Sequence, residues 1–375
     1  STTNKRTKKH SMTFWYGVST WLTSITLTPS KKLLRVFTVK DIKIGLIGAG
    51  RIGKLHAENL ASQIPNAKLV ALADSELKLA KTVADNFNIP YHFDDYHHII
   101  DHLEIDAVII CSPTNTHTQI IQEAANAGKH IFCEKPIDFD LDRTLKSLEI
   151  IKKNGIKFQV GFNRRFDPNF QSVENKILQG DIGDLHILRI TSRDPAPPPI
   201  SYIEVSGGIF LDMMIHDFDM ARYLVKSEVV EVYAAGGVMV DNAIGEAGDI
   251  DTATVILKFA NGALGTIDNS RQAVYGYDQR IEAFGSKGMI RAENVATDTC
   301  IVSNDKGSHQ PPLPHFFLDR YKSSYLTEMI KFLLCIENDS MPEVVGNDGL
   351  KAMEIALAAK ESYLMNRPIK IKDTT

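Results

Sequence analysis

The stretch Ile42-Lys43-Ile44-Gly45-Leu46-Ile47-Gly48-Ala49-Gly50-Arg51-Ile52-Gly53 decides the fold. Its first half is an apolar, β-branched run of strand length, and the glycines after it keep the spacing GxGxxG. In a strand–turn–helix unit, Gly48 permits the tight turn, Gly50 admits a pyrophosphate, and Gly53 lets helix and strand pack closely. The helix opening at Arg51 and Ile52 then offers unpaired N–H groups and a partial positive charge to phosphates. GxGxxG alone is a weak signal. Here a second strand follows and ends at Asp74, about twenty residues on. Such a carboxylate accepts hydrogen bonds from the adenosine ribose and repels a 2′-phosphate, which favours NAD over NADP. An ordinary helix N-cap at Asp74 is the competing reading.

Strand and helix alternate outward from this unit. Strands are expected at 42–47, 68–73, 106–111, 130–133 and 157–161, with helices at 52–63, 76–87, 116–127 and 141–154, each apolar at three- and four-residue spacing. The order predicts a doubly wound parallel sheet, a Rossmann domain over 41–162. From about residue 163 the period changes: a helix at 167–178 and a strand at 186–191 precede a Pro-rich loop at 194–200. Strand-like runs at 229–240, 252–259, 263–270, 279–284 and 289–293 then follow almost without helices. A second α/β domain over 163–375 is expected, with a large open, mostly antiparallel sheet and two terminal helices, 318–336 and 348–365, that return toward the first domain.

Composition narrows the function classes. With 42 basic and 46 acidic residues spread along 375, neither a nucleic-acid groove nor a polybasic membrane surface is expected. The four cysteines form no CxxC or Cys/His pattern, which points away from structural zinc and disulfides and toward a reducing, cytoplasmic setting. Residues 1–40 are basic and lack acidic residues, reading as an unstructured or targeting extension. His92, His97, His98 and His102 invite a metal reading, but their peripheral place in the third strand–helix unit favours a solvated face, and no metal is expected.

The chemistry gathers at two motifs. Cys133-Glu134-Lys135-Pro136 closes a strand at the sheet edge where open α/β folds bind ligands, so Glu134 and Lys135 are placed near a nicotinamide, and the Lys135 ammonium is suited to stabilising alkoxide charge. The isomer of the Lys135–Pro136 bond is left open. Ser112, Thr114, Asn115 and His117, after the preceding strand, are placed for cofactor contact. In the run Gly207-Gly208-Ile209-Phe210-Leu211-Asp212-Met213-Met214-Ile215-His216-Asp217, Asp212 and His216 are four apart at a helix start and share one face. That suits a histidine base oriented by a carboxylate, although a helix cap beside a core histidine would look the same.

These motifs, with GFNRRFDP from Gly161 and AVYGYDQRIEAFG from Ala273, resemble the Gfo/Idh/MocA oxidoreductases, and the inositol dehydrogenase branch most of all. The resemblance runs from Asp41 to the C-terminus. It implies a catalytic set of Lys135, Asp212 and His216, with substrate contacts from these residues, Arg164 and Tyr275, and Asp167, Arg193 and Asp194 as further candidates for hydroxyl recognition. It also implies NAD-dependent oxidation of a cyclic polyol, myo-inositol foremost, with His216 as general base, in a homotetramer. Another inositol isomer or a pyranose such as glucose is the alternative substrate. A non-catalytic NAD- and sugar-sensing regulator is the alternative of another class.

Overall fold

In a computed structural model of the chain, the described residues are 41–371. The extension 1–40, and with it the choice between targeting and an unstructured start, lies outside them.

The first half runs β1 (Ile42–Ile47), α1 (Arg51–Ser62), β2 (Ala67–Ala73), α2 (Leu77–Phe87), β3 (Tyr91–Phe93), α3 (His97–Ile100), β4 (Ala107–Ile110), α4 (Thr114–Asn126), β5 (His130–Glu134), α5 (Leu141–Asn154) and β6 (Phe158–Gly161). The six strands form one sheet in the order β3-β2-β1-β4-β5-β6, all parallel. Every residue of β4 and five of the six in β1 are buried, as strands covered by helices on both faces must be. The order reverses between β1 and β4, which opens a crevice at the carboxyl ends of those strands.

A 3₁₀ turn, Asn163–Phe166, leads into α6 (Pro168–Leu178), β7 (Leu185–Arg193), α7 (Ile200–Ile203), α8 (Ile209–Asp212), α9 (Ile215–Val225), β8 (Val229–Gly237), α10 (Asn242–Glu246), β9 (Thr252–Phe259), β10 (Leu264–Ser270), β11 (Asp278–Gly285) and β12 (Gly288–Ala292). A hairpin, β13 (Val302–Asn304) with β14 (Gly307–His309), precedes α11 (Phe317–Arg320), α12 (Lys322–Glu337), α13 (Gly346–Met365) and β15 (Ile369–Lys370). The second sheet has the order β12-β11-β7-β10-β9-β8-β15. It is antiparallel except for the β7–β10 pair. Along β9 buried and exposed residues alternate, so one face packs on α9 and α13 and the other is open. The sheet is the large, mostly antiparallel one expected.

Some boundaries shift for local reasons. The helix expected over 318–336 breaks at Tyr321 into α11 and α12, and the strand expected over 229–240 ends at Gly237. After Gly237 the main chain turns so that Met239, Val240 and Asp241 donate their N–H groups to the buried Asp251 carboxylate. Met329, Phe332 and Leu333 of α12 join Ile44, Leu60 and Phe132 in one hydrophobic cluster, so the penultimate helix is part of the nucleotide-binding half's packing.

Candidate active site

The glycine loop is shaped by contacts a side chain would break. Gly48 has φ +99°, and a Cβ there would lie 2.5 Å from the Cys111 backbone; one on Gly53 would lie 1.9 Å from the Gly48 carbonyl oxygen. A Cβ on Gly50 would meet nothing within 4 Å. The clear approach over Gly50 is matched by α1, whose N-terminus carries neither a side-chain cap nor an acidic residue in its first turn. Those N–H groups, with exposed Arg51 and partly buried Ile52 beside them, fit a pyrophosphate. Asp74 is not the N-cap of α2, since Glu76 holds that place. Its carboxylate accepts from the N–H of Ala49 at 2.7 Å and of Glu76 at 2.9 Å, so it steadies the glycine loop while keeping lone pairs for a ribose.

On the other side of the crevice, Ser112 shares a hydroxyl contact with Thr116 at 2.7 Å, and Thr114 and Asn115 open α4. His117 is placed differently from the sequence expectation. It is buried, with Nδ1 2.9 Å from the Pro136 carbonyl and Nε2 2.8 Å from the Ser112 carbonyl. The ring is therefore a strut between two loops, not a group facing a cofactor, and burial pushes its pKa down. The Lys135–Pro136 bond it braces is cis.

Lys135 reaches across the crevice to the second half of the chain. Its ammonium donates to the main-chain oxygen of Asp212 at 2.7 Å and lies 3.5 Å from Oδ1 of the same residue. The Asp212 carboxylate also accepts from the Tyr202 hydroxyl at 2.7 Å and from Arg271 at 3.0 Å. Although burial opposes ionisation, Lys135 and Arg271 hold this carboxyl below its ordinary range.

The expected hydrogen bond from the His216 ring to the Asp212 carboxylate is not made. α8 ends at Asp212 and α9 begins at Ile215, so the two residues do not share one uninterrupted helix face, and the carboxylate is taken by Lys135, Tyr202 and Arg271. Nδ1 of His216 is buried without a hydrogen-bond partner among the described residues. Burial, with the positive charges of Lys135 and Arg164, pushes the imidazole well below its usual pKa. A neutral ring beside an ammonium is the state a proton acceptor needs.

Arg164 is buried beneath this group, paired with Asp217 at 2.5 Å and donating to Ser192 at 3.1 Å. Asp167 instead caps α6 and pairs with Arg320. Tyr275 is half exposed; its hydroxyl donates to Asp278 at 2.6 Å and accepts from Arg193. The second tyrosine of that stretch, Tyr277, is the buried one, facing Arg164, Asp194 and Asp217. Asp194 completes the polar wall. Burial raises its carboxyl to about 6, with Arg271 and Arg164 pulling down and Asp212 and Asp217 pushing up. Arg271 and Tyr202 escaped the sequence reading because neither lies in a recognisable motif.

Among the described residues no helix is long and apolar enough to cross a membrane.

Comparison with known proteins agrees with this fold. Residues 42–162 match the family model for an oxidoreductase family with an NAD-binding Rossmann fold, and residues 170–291 match the GFO/IDH/MocA C-terminal domain. An uncharacterized oxidoreductase of Bacillus subtilis is 50% identical over 335 residues, 89% of this chain and 98% of that protein. A myo-inositol 2-dehydrogenase of Thermotoga maritima is 48% identical over 332 residues, 88% and 99% of the two chains. The crystal structure of a scyllo-inositol dehydrogenase from Lactobacillus casei, with bound NAD(H) and scyllo-inositol, superposes with a TM-score of 0.84 at 33% identity, covering 88% of this chain and 99% of that one. The chain belongs to the GFO/IDH/MocA oxidoreductase family and is an NAD-dependent dehydrogenase acting on a CH–OH group.

Proposed function

We propose that the chain oxidises an inositol, myo-inositol foremost, at one ring CH–OH, giving the ketone 2-keto-myo-inositol. The observation that carries this is the meeting of Lys135, a neutral His216 and the polar wall of Arg164, Asp194 and Tyr277 at the carboxyl edge of the parallel sheet. A ring bearing a hydroxyl on every carbon matches a wall made of a guanidinium, a carboxyl and a phenol better than an apolar substrate does. The relatives named for myo- and scyllo-inositol support the substrate class and differ in the isomer.

NAD, when bound, supplies the hydride acceptor. Gly48, Gly50, Gly53 and the first turn of α1 would hold its pyrophosphate and Asp74 its ribose, with Ser112–Asn115 and Glu134–Lys135 as the residues that would meet its nicotinamide end. His216 takes the proton of the reacting hydroxyl, and Lys135 stabilises the oxygen as charge develops there. Asp212 acts on Lys135, which it anchors, and orients His216 only through the turn that joins them. The reading is tested by NADH formation from a panel of inositol isomers. A homotetramer is the assembly we propose, supported by the apolar residues Val230, Ile256, Leu264 and Phe284 exposed on the strands of the second sheet.

A further inference from the structure

On the sheet face covered by α1 and α12, behind the strand end that carries Lys135, lies a largely buried polar cluster of which the proposed function uses only Glu134. His56 of α1, Glu134 of β5 and Glu328 of α12 bring one ring nitrogen and two carboxylate oxygens within 4.8 Å of one another. His56 Nε2 is 3.0 Å from Glu134 Oε1. Gly161 makes room for the seat, since a Cβ there would lie 2.9 Å from the Glu134 carboxylate. Glu328 is fully buried, and neither of its carboxyl oxygens has a hydrogen-bond partner among the described residues. The titratable groups that interact with it among the described residues are Glu134, His56, Cys111 after β4 and Tyr325 on its own helix, with no lysine or arginine among them.

Two arrangements satisfy such a set: a cation bound by all three groups, or one of the two carboxyls kept protonated. The second histidine nitrogen decides between them. A metal-bound imidazole donates its other N–H to a partner, whereas Nδ1 of His56 is buried with none among the described residues. A bare Nδ1 belongs to the neutral ring that donates through Nε2 to Glu134. Two ionised carboxylates within 4.8 Å, with no cation beside them and Phe132 and Phe332 among the packing, would repel strongly, so one must keep its proton.

We infer that Glu328 is a neutral carboxylic acid packed beside Glu134, and that it is a positioning residue, backing from α12 the strand end on which Lys135 stands. Burial, with the adjacent Glu134 charge, drives the Glu328 carboxyl well above its ordinary value, consistent with that state. α12 thereby sets the reach of Lys135 into the crevice without touching substrate. This function of Glu328 rests on the proposed role of Lys135; its protonation does not.

Glu328→Gln keeps a neutral donor of the same shape, and Glu328→Leu removes it. The folded protein holds a proton that the unfolded chain releases, so wild-type stability should fall relative to Glu328→Gln as pH rises above about 4.5. The inference expects the melting-temperature gap between the two to widen in favour of Glu328→Gln from pH 5 to pH 8. It also expects Glu328→Gln to keep kcat within about threefold and Glu328→Leu to lose at least about tenfold. Parallel melting curves across that range would overturn the inference, as would a Zn²⁺-induced rise in melting temperature that Glu328→Gln abolishes. Equal kcat losses in the two variants would overturn the positioning role. The melts involve no substrate, so they decide the protonation even if no polyol is turned over or Glu328→Leu fails to fold.

Discussion

Lys135 Nζ sits 2.7 Å from the main-chain oxygen of Asp212 and 3.5 Å from its carboxylate, a bond that crosses from the parallel sheet to the C-terminal half of the chain. It fixes the ammonium at the crevice without consuming all its donors, since Lys carries three. Lys135→Ala should lower kcat by about 100- to 10,000-fold while NAD binding, followed by fluorescence titration, stays within a few-fold of wild type. Lys135→Arg should not restore the rate, because a planar guanidinium cannot reproduce a compact ammonium at this site.

His216 is neutral at working pH because burial and two nearby cations disfavour its charged form. His216→Ala should cost about 100- to 10,000-fold in kcat. In the wild type, the acid limb of the kcat profile should carry no histidine inflection near 6.5. Such an inflection, lost in His216→Ala, would contradict the burial described for this ring.

Asp194, raised to about 6, titrates within reach of assay. Its folded form binds a proton more tightly than the unfolded chain, whose value is near 3.8, so its stabilising contribution is full below about pH 4 and is lost as pH climbs through 6. Between its two protonation states the shift amounts to at most about 3 kcal/mol. Asp194→Asn should therefore melt higher than wild type above pH 6, and its substrate KM should lose the inflection near 6. Identical KM profiles for the two proteins would remove Asp194 from the polar wall.

The cofactor loop gives two further tests. Asp74→Ala frees the N–H groups of Ala49 and Glu76 and removes the charge expected to face a ribose, so it should raise the Kd for NAD and narrow the preference over NADP. Gly53→Ala forces a methyl group to within 1.9 Å of the Gly48 oxygen. It should abolish NAD binding and lower stability by about 2 kcal/mol or more, read from thermal melts.

The parts of this molecule that are legible in its sequence are those fixed by local chemistry. Gly48 and Gly53 announce a turn and a close approach because only glycine fits, and the period-two pattern of β9 announces a sheet with one open face. The active-site pairings are another matter. Asp212 and His216 look like a helical pair by spacing, yet the chain turns at Met213–Met214, and Arg271, 59 residues away, takes the carboxylate that the spacing assigned to the histidine. Tyr275 and Tyr277 stand two apart just before β11, and only the packing of Tyr277 against Arg164 and Tyr321 distinguishes the buried tyrosine from the exposed one. His117 carries a motif-like position but is held by two carbonyls from separate loops, a contact no single segment encodes. The Glu134–Glu328 pair, drawn from β5 and α12, is invisible for the same reason.

The central claim is that this set of residues oxidises a ring hydroxyl of an inositol, and it is tested most directly by following NADH absorbance with NAD and each of myo-, scyllo- and chiro-inositol beside glucose and other aldoses. The account predicts a rate with an inositol, highest with myo-inositol, that falls to near background in both Lys135→Ala and His216→Ala. Turnover of aldoses alone would displace inositol as the substrate, and no turnover of any polyol by folded, NAD-binding protein would contradict the proposed reaction itself.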